Sequence, residues 1–521
     1  MKILVLSLLR LGDTLQQAFL FKALREKCPQ AKIYVVVNSV PRGIEKIIPE
    51  VDHWILFERS NLQAMIGEKS ENIFSPILSV RNFITKLNQI SFDVVYNFTH
   101  NRLSALIAGM VEAVEYRGLV WRKGGYTGLE NLWLRQFNNE FSERHPSPLH
   151  YVEYLANAFD LPIRPLEAKS RSGSVLIQPL TSDPKKNWGL SFWRALVDEL
   201  VAANPNLQVR VLGAPSEMLE LERFFTGDEL RICDLQGARD ELRRASLLIT
   251  GDTSIKHLAV MEGTRVLEIS MGSADPTRTG PFGVGHYILT SSADCYPCLH
   301  TSPCRKLSHL CAEAIKVKDV IQVADALLAE QEVKTEFVYK TAWVDGLGWT
   351  MVNCAQKRPN PFRVLSRLSA NSSYGKFQEL TNARKLFQNL FPEGLPDAGL
   401  VELTELVKTY RRLSQLSAQL GQEIVGADTQ AIKMAPVLSV RNYLSTLRVS
   451  EPTFESLVAP MRMLAFSPST SPLQFVGLLQ RRVQEFGLKL FFHLEIAGMN
   501  SQGADYGVKF AKPSDCGFEA P

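Results

Sequence analysis

The sequence carries almost no net charge: 58 Lys and Arg against 54 Asp and Glu leave +4 over 521 residues. So weak a bias leaves no electrostatic footprint for a nucleic-acid partner, although it allows a local basic cleft. Long apolar runs are missing as well, and nothing approaches the roughly 18 consecutive apolar residues of a membrane-spanning helix. The opening MKILVLSLLRLGD imitates a secretory leader, but Arg10 cuts its apolar run short and no small-residue cleavage site follows. It reads better as a buried first strand, which makes a cytoplasmic location the expectation. No Gly-x-Gly-x-x-Gly follows that strand, which argues against a nicotinamide oxidoreductase. Cysteine is scarce, with eight in the chain. In a reducing compartment, clustered thiols point to a metal or redox site before a disulfide framework. The 45% hydrophobic and 21% charged residues exclude wholesale disorder, so this chain folds around large cores.

At roughly 100–200 residues per domain the length accommodates more than one domain. Ile3–Leu8, Lys32–Val37 and Phe92–Phe98 are apolar runs of the kind buried on both faces of a parallel sheet. Helical spacing over Thr14–Lys27 and from Leu103 separates them, which predicts βαβ units. A Pro/Ser/Gly-bearing stretch, Leu161–Ser174, reads as a linker. A second cycle follows: strands at Val175–Gln178, Leu207–Leu212, Leu247–Thr250 and Arg265–Ile269, helices at Leu190–Ala203, Glu217–Phe225 and Ile255–Met261. Beyond about residue 331 the pattern becomes helical, with an apolar stripe through Leu403, Leu406, Val407, Tyr410, Leu413 and Leu420. The expected domains are therefore 1–165, 170–330 and a mostly helical extension over 331–521.

Three loops at consecutive strand ends carry hydroxyls and cations. Thr250 runs into Gly251-Asp252-Thr253-Ser254 and a helix that includes His257. A helix N-terminus has unsatisfied N–H groups and a partial positive charge, so it suits a phosphate. Gln178–Trp188 supplies Thr181, Ser182, Lys185 and Lys186, and Gly272–Gly283 adds further hydroxyls and Arg278. The bland reading of each is a capped turn; the set of three makes an anion site that a nucleotide diphosphate would suit.

In order along residues 1–330, these segments resemble glycosyltransferase family 9, the ADP-heptose:lipopolysaccharide heptosyltransferases. The residues that carry the resemblance are Arg10-Leu-Gly-Asp13, the Thr181/Ser182 loop ending in Lys186-x-Trp188, Asp252-Thr-Ser-Ile-Lys-His257 and Gly272–Gly283. Two positions depart from the family pattern: Ser254 stands for a Gly, and Ser273-Ala274 for Pro-Thr. The resemblance implies an α/β GT-B fold, two Rossmann-like parallel-sheet domains facing a cleft, and inverting transfer of heptose from ADP-heptose to a lipopolysaccharide core sugar. It implies Asp13 as general base. Lys186 would neutralise the departing diphosphate, with hydrogen bonds from Thr181 and Ser182. Asp252, Thr253, Ser254 and His257 would hold the nucleotide-sugar, and Glu217 sits where the family places an acidic nucleoside ligand. The chain contains no Asp-x-Asp, the motif that holds a metal-bound diphosphate in the other main glycosyltransferase architecture, so no cofactor is expected to be required.

Arg10, Asn97, His100 and Arg102 lie at the ends of the first and third expected strands, beside Asp13, and are candidates for a charged sugar acceptor. Arg102 reads equally as a solvated helix start. Cys295, Cys298, Cys304 and Cys311 are candidate ligands of a structural zinc or iron ion, against a set of reduced thiols in a surface loop. Cys28, Cys233, Cys354 and Cys516 read as isolated thiols. The expected partners are the nucleotide-sugar donor and a lipopolysaccharide or protein acceptor, with no nucleic acid and no transmembrane segment, and with peripheral membrane contact left open. A protein-directed heptosyltransferase and a catalytically silent nucleotide-sugar-binding scaffold are the alternatives.

Overall fold

The computed structural model describes residues 1–67, 74–140, 147–304, 306, 308–373, 380–425, 434–449, 454, 457–458, 461 and 472–499. Two compact units divide the chain. The first comprises Met1–Asn138, His150–Trp343 and Met351–Lys357, and the second comprises Asn139–Leu149, Val344–Thr350 and Arg358–Pro521.

The first unit holds two Rossmann-like α/β sheets. In the N-terminal sheet the strands are β1 (Lys2–Ser7), β2 (Lys32–Val37), β3 (His53–Leu56), β4 (Phe92–Asn97) and β5 (Ala113–Arg117). They are parallel, in the order β3-β2-β1-β4-β5. All but the first residue of β1 is buried, as a strand covered by helices on both faces must be. Leu4, Leu6, Val36 and Val95 anchor one core layer with Ile84, Leu87 and Ile107 from the covering helices.

The second sheet repeats the pattern with β6 (Ser174–Gln178), β7 (Val209–Gly213), β8 (Leu230–Ile232), β9 (Ala245–Thr250), β10 (Arg265–Ser270) and β11 (Tyr287–Thr290). Its order is β8-β7-β6-β9-β10-β11, again parallel. An antiparallel strand, β12 (Val338–Val344), continues the sheet beside β11. Val333 and Val338 bury into this second core. The segment after residue 331 therefore completes the second sheet, which moves the start of the helical extension later than the pattern change suggested. In each sheet the strand order reverses beside the first strand of its cycle, between β1 and β4 and between β6 and β9. Such switch points open a crevice at the carboxyl ends of the strands.

In the second unit, helices span Pro361–Ser373, Leu380–Leu390, Asp397–Val425, Met434–Thr446 and Pro472–Ala497. The stripe Leu403, Leu406, Val407, Tyr410, Leu413 and Leu420 buries in one core with Phe387, Phe391, Leu444, Leu479 and Phe486. An exposed stripe of that width is unstable in water, so packing of several amphipathic helices is its natural resolution. Among the described residues no helix is long and apolar enough to cross a membrane.

Candidate active site

Loops at the two switch points build the candidate site: the one after β1 on one side, those after β6 and β9 on the other. After β1 the chain turns at Arg10 into the short helix Leu11–Gln16, whose first turn contains Asp13. The Arg10 backbone N–H donates to Asp13 Oδ2 at 3.1 Å. No second hydrogen bond reaches this carboxylate among the described residues. Burial pushes the Asp13 carboxyl up to about 6; the Arg10 backbone N–H opposes this, the charge of Asp252 adds to it, and Arg10 and Lys186 draw it back. A base with a pKa near neutrality is well matched to general catalysis.

Across the crevice, β6 leads into Thr181–Lys186 and β9 into Gly251–Ser254. Lys186 Nζ donates to Asp252 Oδ2 at 3.0 Å and lies 3.4 Å from the Asp252 carbonyl oxygen. Burial alone would raise the Asp252 carboxyl, but the ammonium groups of Lys256 and Lys186 outweigh it and hold Asp252 well below the usual range. Thr253 is the N-cap of helix Ser254–Glu262, yet its side chain makes no capping hydrogen bond. The first-turn N–H groups are thus left to a ligand or water. His257, one turn into that helix, is buried, and desolvation holds it neutral, helped by the charge of Lys256.

The two sides meet closely. A Cβ placed on Gly12 would lie 3.5 Å from Ser254 Cα and 3.7 Å from His257 Cδ2. Arg10 Nη1 donates to Ser182 Oγ at 3.1 Å, directly across the crevice. His150 joins the two sides again. Its Nδ1 accepts from the Val152 backbone N–H at 3.2 Å, so its Nε2 carries the proton and donates to Gly280 O at 3.0 Å. Beside Asp13, Gln17 Nε2 donates to the Tyr151 hydroxyl at 2.5 Å. Burial first, then the charge of Asp13, holds that hydroxyl protonated.

Other candidates already have partners within the protein. The Thr181 hydroxyl donates to Asp183 O at 2.8 Å, closing its own loop. Glu217 follows β7 and accepts from the Ala214 backbone N–H at 2.8 Å, with burial raising its carboxyl. Lys185 points away from Lys186: its Nζ donates to the carbonyls of Leu299, His300 and Ser302 at 3.0, 2.9 and 2.8 Å. Gly272 lies against the same segment at φ +62°, and a Cβ there would sit 1.9 Å from Lys185 O, which only glycine tolerates. Ser273 Oγ donates to Asp183 Oδ2 at 2.7 Å, so this departure from the family pattern ties two site loops together.

The acceptor side departs from the sequence reading. Asn97 is fully buried; its Nδ2 donates to Leu119 O at 2.7 Å and its Oδ1 accepts from the N–H groups of Thr99 and His100 at 3.0 and 3.3 Å. It shapes the loop after β4 and presents nothing to the crevice. His100 is 8% exposed, packed on Phe137 and Phe159, and desolvation drops its imidazole to about 3. Only Arg102, exposed at the start of helix Arg102–Met110, stays available to a charged acceptor. The metal reading finds no support. Cys311 packs in the second core while Cys304 is exposed, and among the described residues no three His, Cys, Asp or Glu side chains converge on a point that would hold a metal ion. The Cys298 thiol lies 3.6 Å from the Cys295 carbonyl oxygen, a contact with backbone. Cys516 lies outside the described residues.

Residues 80–308 match the family model of glycosyltransferase family 9 (heptosyltransferase). Over that stretch the chain is similar to family 9 glycosyltransferases. The Arg10–Asp13 turn precedes the matched residues. Solved structures similar to this chain include a glycosyltransferase of the same family from Veillonella parvula, 16% identical, covering 63% of this chain and 97% of that one, with a TM-score of 0.45. The E. coli heptosyltransferase WaaC with ADP is 17% identical over 63% of this chain and 100% of its own, at a TM-score of 0.43. The E. coli ADP-heptose lipopolysaccharide heptosyltransferase II is 18% identical over 64% and 100%, at 0.44. No curated protein matches the chain.

Proposed function

We propose that this glycosyltransferase moves heptose from ADP-heptose to a lipopolysaccharide core sugar with inversion, and that it does so in the cytoplasm. The observation that carries the reading is the pairing of Asp13, poised near neutrality on one side of the crevice, with Lys186 and an uncapped helix N-terminus on the other. Asp13 would take the proton of the acceptor hydroxyl as that oxygen attacks the anomeric carbon from the face opposite the diphosphate. Lys186, Ser182 and the N–H groups of Thr253 and Ser254 would stabilise the departing diphosphate, occupying the place a metal ion holds elsewhere. Asp252 and neutral His257 would bind the sugar, Glu217 the nucleoside. Arg10, facing Ser182, belongs with the donor phosphates, which leaves Arg102 for the acceptor.

The test is incubation of the protein with ADP-heptose and a panel of core-oligosaccharide and peptide acceptors, with product masses read by mass spectrometry. A mass gain of one heptose on a saccharide acceptor, accompanied by ADP release, is the expected result. Transfer to peptides alone would replace the acceptor class. An absence of both ADP-heptose binding and turnover would refute the reading.

A further inference from the structure

The network behind Lys186 continues into the interior. Asp252 shares its two carboxylate oxygens between Lys186 Nζ at 3.0 Å and Lys256 Nζ at 2.6 Å, and Lys256 Nζ also reaches Glu268 Oε2 at 3.0 Å. The side chains of Lys186 and Asp252 are each 12% exposed, Glu268 is 1% and Lys256 is 0%. From the crevice inward the order is ammonium, carboxylate, ammonium, carboxylate. A buried lysine persists only where it is paired and hydrogen-bonded, and one carboxylate would neutralise it. Here it takes two, and its shorter contact is to Asp252, four residues earlier in the turn that leads into its helix.

We propose that Lys256 is a positioning residue that keeps Asp252 neutralised from within, so that Lys186 can leave Asp252 and grip the donor diphosphate. The inference rests on the reading that a nucleotide diphosphate occupies this crevice. With Lys256 absent, Lys186 would be the sole cation on Asp252. Moving Lys186 to a phosphate would then strand a carboxylate in a poorly solvated place, and the cost would come out of donor affinity. With Lys256 in place the carboxylate keeps one short charged hydrogen bond whichever way Lys186 points. Glu268 balances the Lys256 charge in the interior.

ADP binding to the full chain, measured by calorimetry, tests this without a sugar for Asp252 to touch. In the native background Lys186→Met should weaken ADP by roughly tenfold or more, the size expected for a lost charged hydrogen bond. Lys256→Met with Glu268→Gln removes the inner pair without leaving a buried charge. ADP affinity should fall by a similar factor, and adding Lys186→Met should then change it by less than about twofold. Adding Asp252→Asn instead should restore near-native affinity, because no carboxylate remains to hold Lys186. Equal losses for Lys186→Met in both backgrounds, or a triple variant as weak as the double, overturns the inference alone. No ADP binding by the native protein overturns the reading of the crevice and the inference with it. If the double variant fails to fold, the triple variant, uncharged at all three positions, decides by itself: near-native affinity supports the proposal and a tenfold loss refutes it.

Discussion

Replacing Asp13 by Asn should stabilise the protein while disabling it, and the size of both effects follows from one carboxyl. Its value of about 6, against an ordinary 3.8, means that the fold disfavours the ionised form. The gap corresponds to roughly 3 kcal/mol at about 1.4 kcal/mol per pH unit. This is an upper figure, because Asp13 is only partly buried and water in the crevice screens it. The raised value fixes the sign: the folded protein binds the proton more tightly than the unfolded chain. The cost is therefore absent below pH 3.8, grows as pH rises, and is complete above about 6. Asn at this position keeps an oxygen that can accept from the Arg10 N–H and carries no charge to bury. Asp13→Asn should thus melt a few degrees higher than the parent at pH 8 and at the same temperature at pH 4. Paired melts at the two pH values, followed by tryptophan fluorescence, read that difference directly. Transfer should fall by about 10²-fold or more if a general base is lost. In the parent, kcat/KM should rise about tenfold per pH unit up to about 6 and then level. An Asn variant that melts lower at pH 8, or a parent profile with no inflection between about pH 5 and 7, would refute the argument.

Lys185→Ala should free the segment Leu299–Ser302 that its ammonium holds, so amide exchange there should accelerate while ADP affinity moves less than about twofold; a loss equal to that of Lys186→Ala would refute the division of labour. Gly272→Ala adds both a left-handed backbone penalty and a clash with Lys185 O, and should cost about 2–4 kcal/mol in urea unfolding; a cost under about 0.5 kcal/mol would show that the turn adapts. Phe387→Ala, at 1% exposure in the helical core, should cost about 3–5 kcal/mol, read as earlier loss of helical circular dichroism.

The sheets could be read from the sequence because β1, β2 and β9 are continuous apolar runs, a pattern that parallel strands under helices enforce. β3 and β5 escaped notice. HWIL and AVEYR are short, half-exposed strands at the sheet edges, and their composition resembles that of the surrounding loops. The expected helix over Glu217–Phe225 shrinks to Met218–Leu221, because the Glu217 side chain caps the turn in front of it and Gly227 soon follows. The cysteine cluster misled for a different reason. Spacing brings thiols near one another along the chain, but Cys311 opens a short helix whose apolar side belongs to the second core, and burial there outweighs any pull toward Cys295.

The loops proposed to hold the donor could be picked out because hydroxyls and cations recur at their strand ends, the features from which a phosphate site is assembled. What the spacing could not show was which charges face each other. Lys256 had a signal: it lies four residues after Asp252, at the start of the helix that follows it, and Glu268 places a charge in the buried part of the RVLEIS strand, where it requires a partner. Those two facts together predict the ion pair, yet neither does so alone. Arg10 and Asn97 had none. Both stand at strand ends beside Asp13, and only the fold reveals that one reaches across to Ser182 while the other turns inward to hold Leu119 O. A strand-end position confines a side chain to the rim of the crevice; the hydrogen bonds its loop leaves unsatisfied decide whether it stays there. Asn97, with three backbone groups to serve in the turn after β4, has nothing left for an acceptor, whereas Arg10 caps its helix with backbone alone and keeps its guanidinium for the other side.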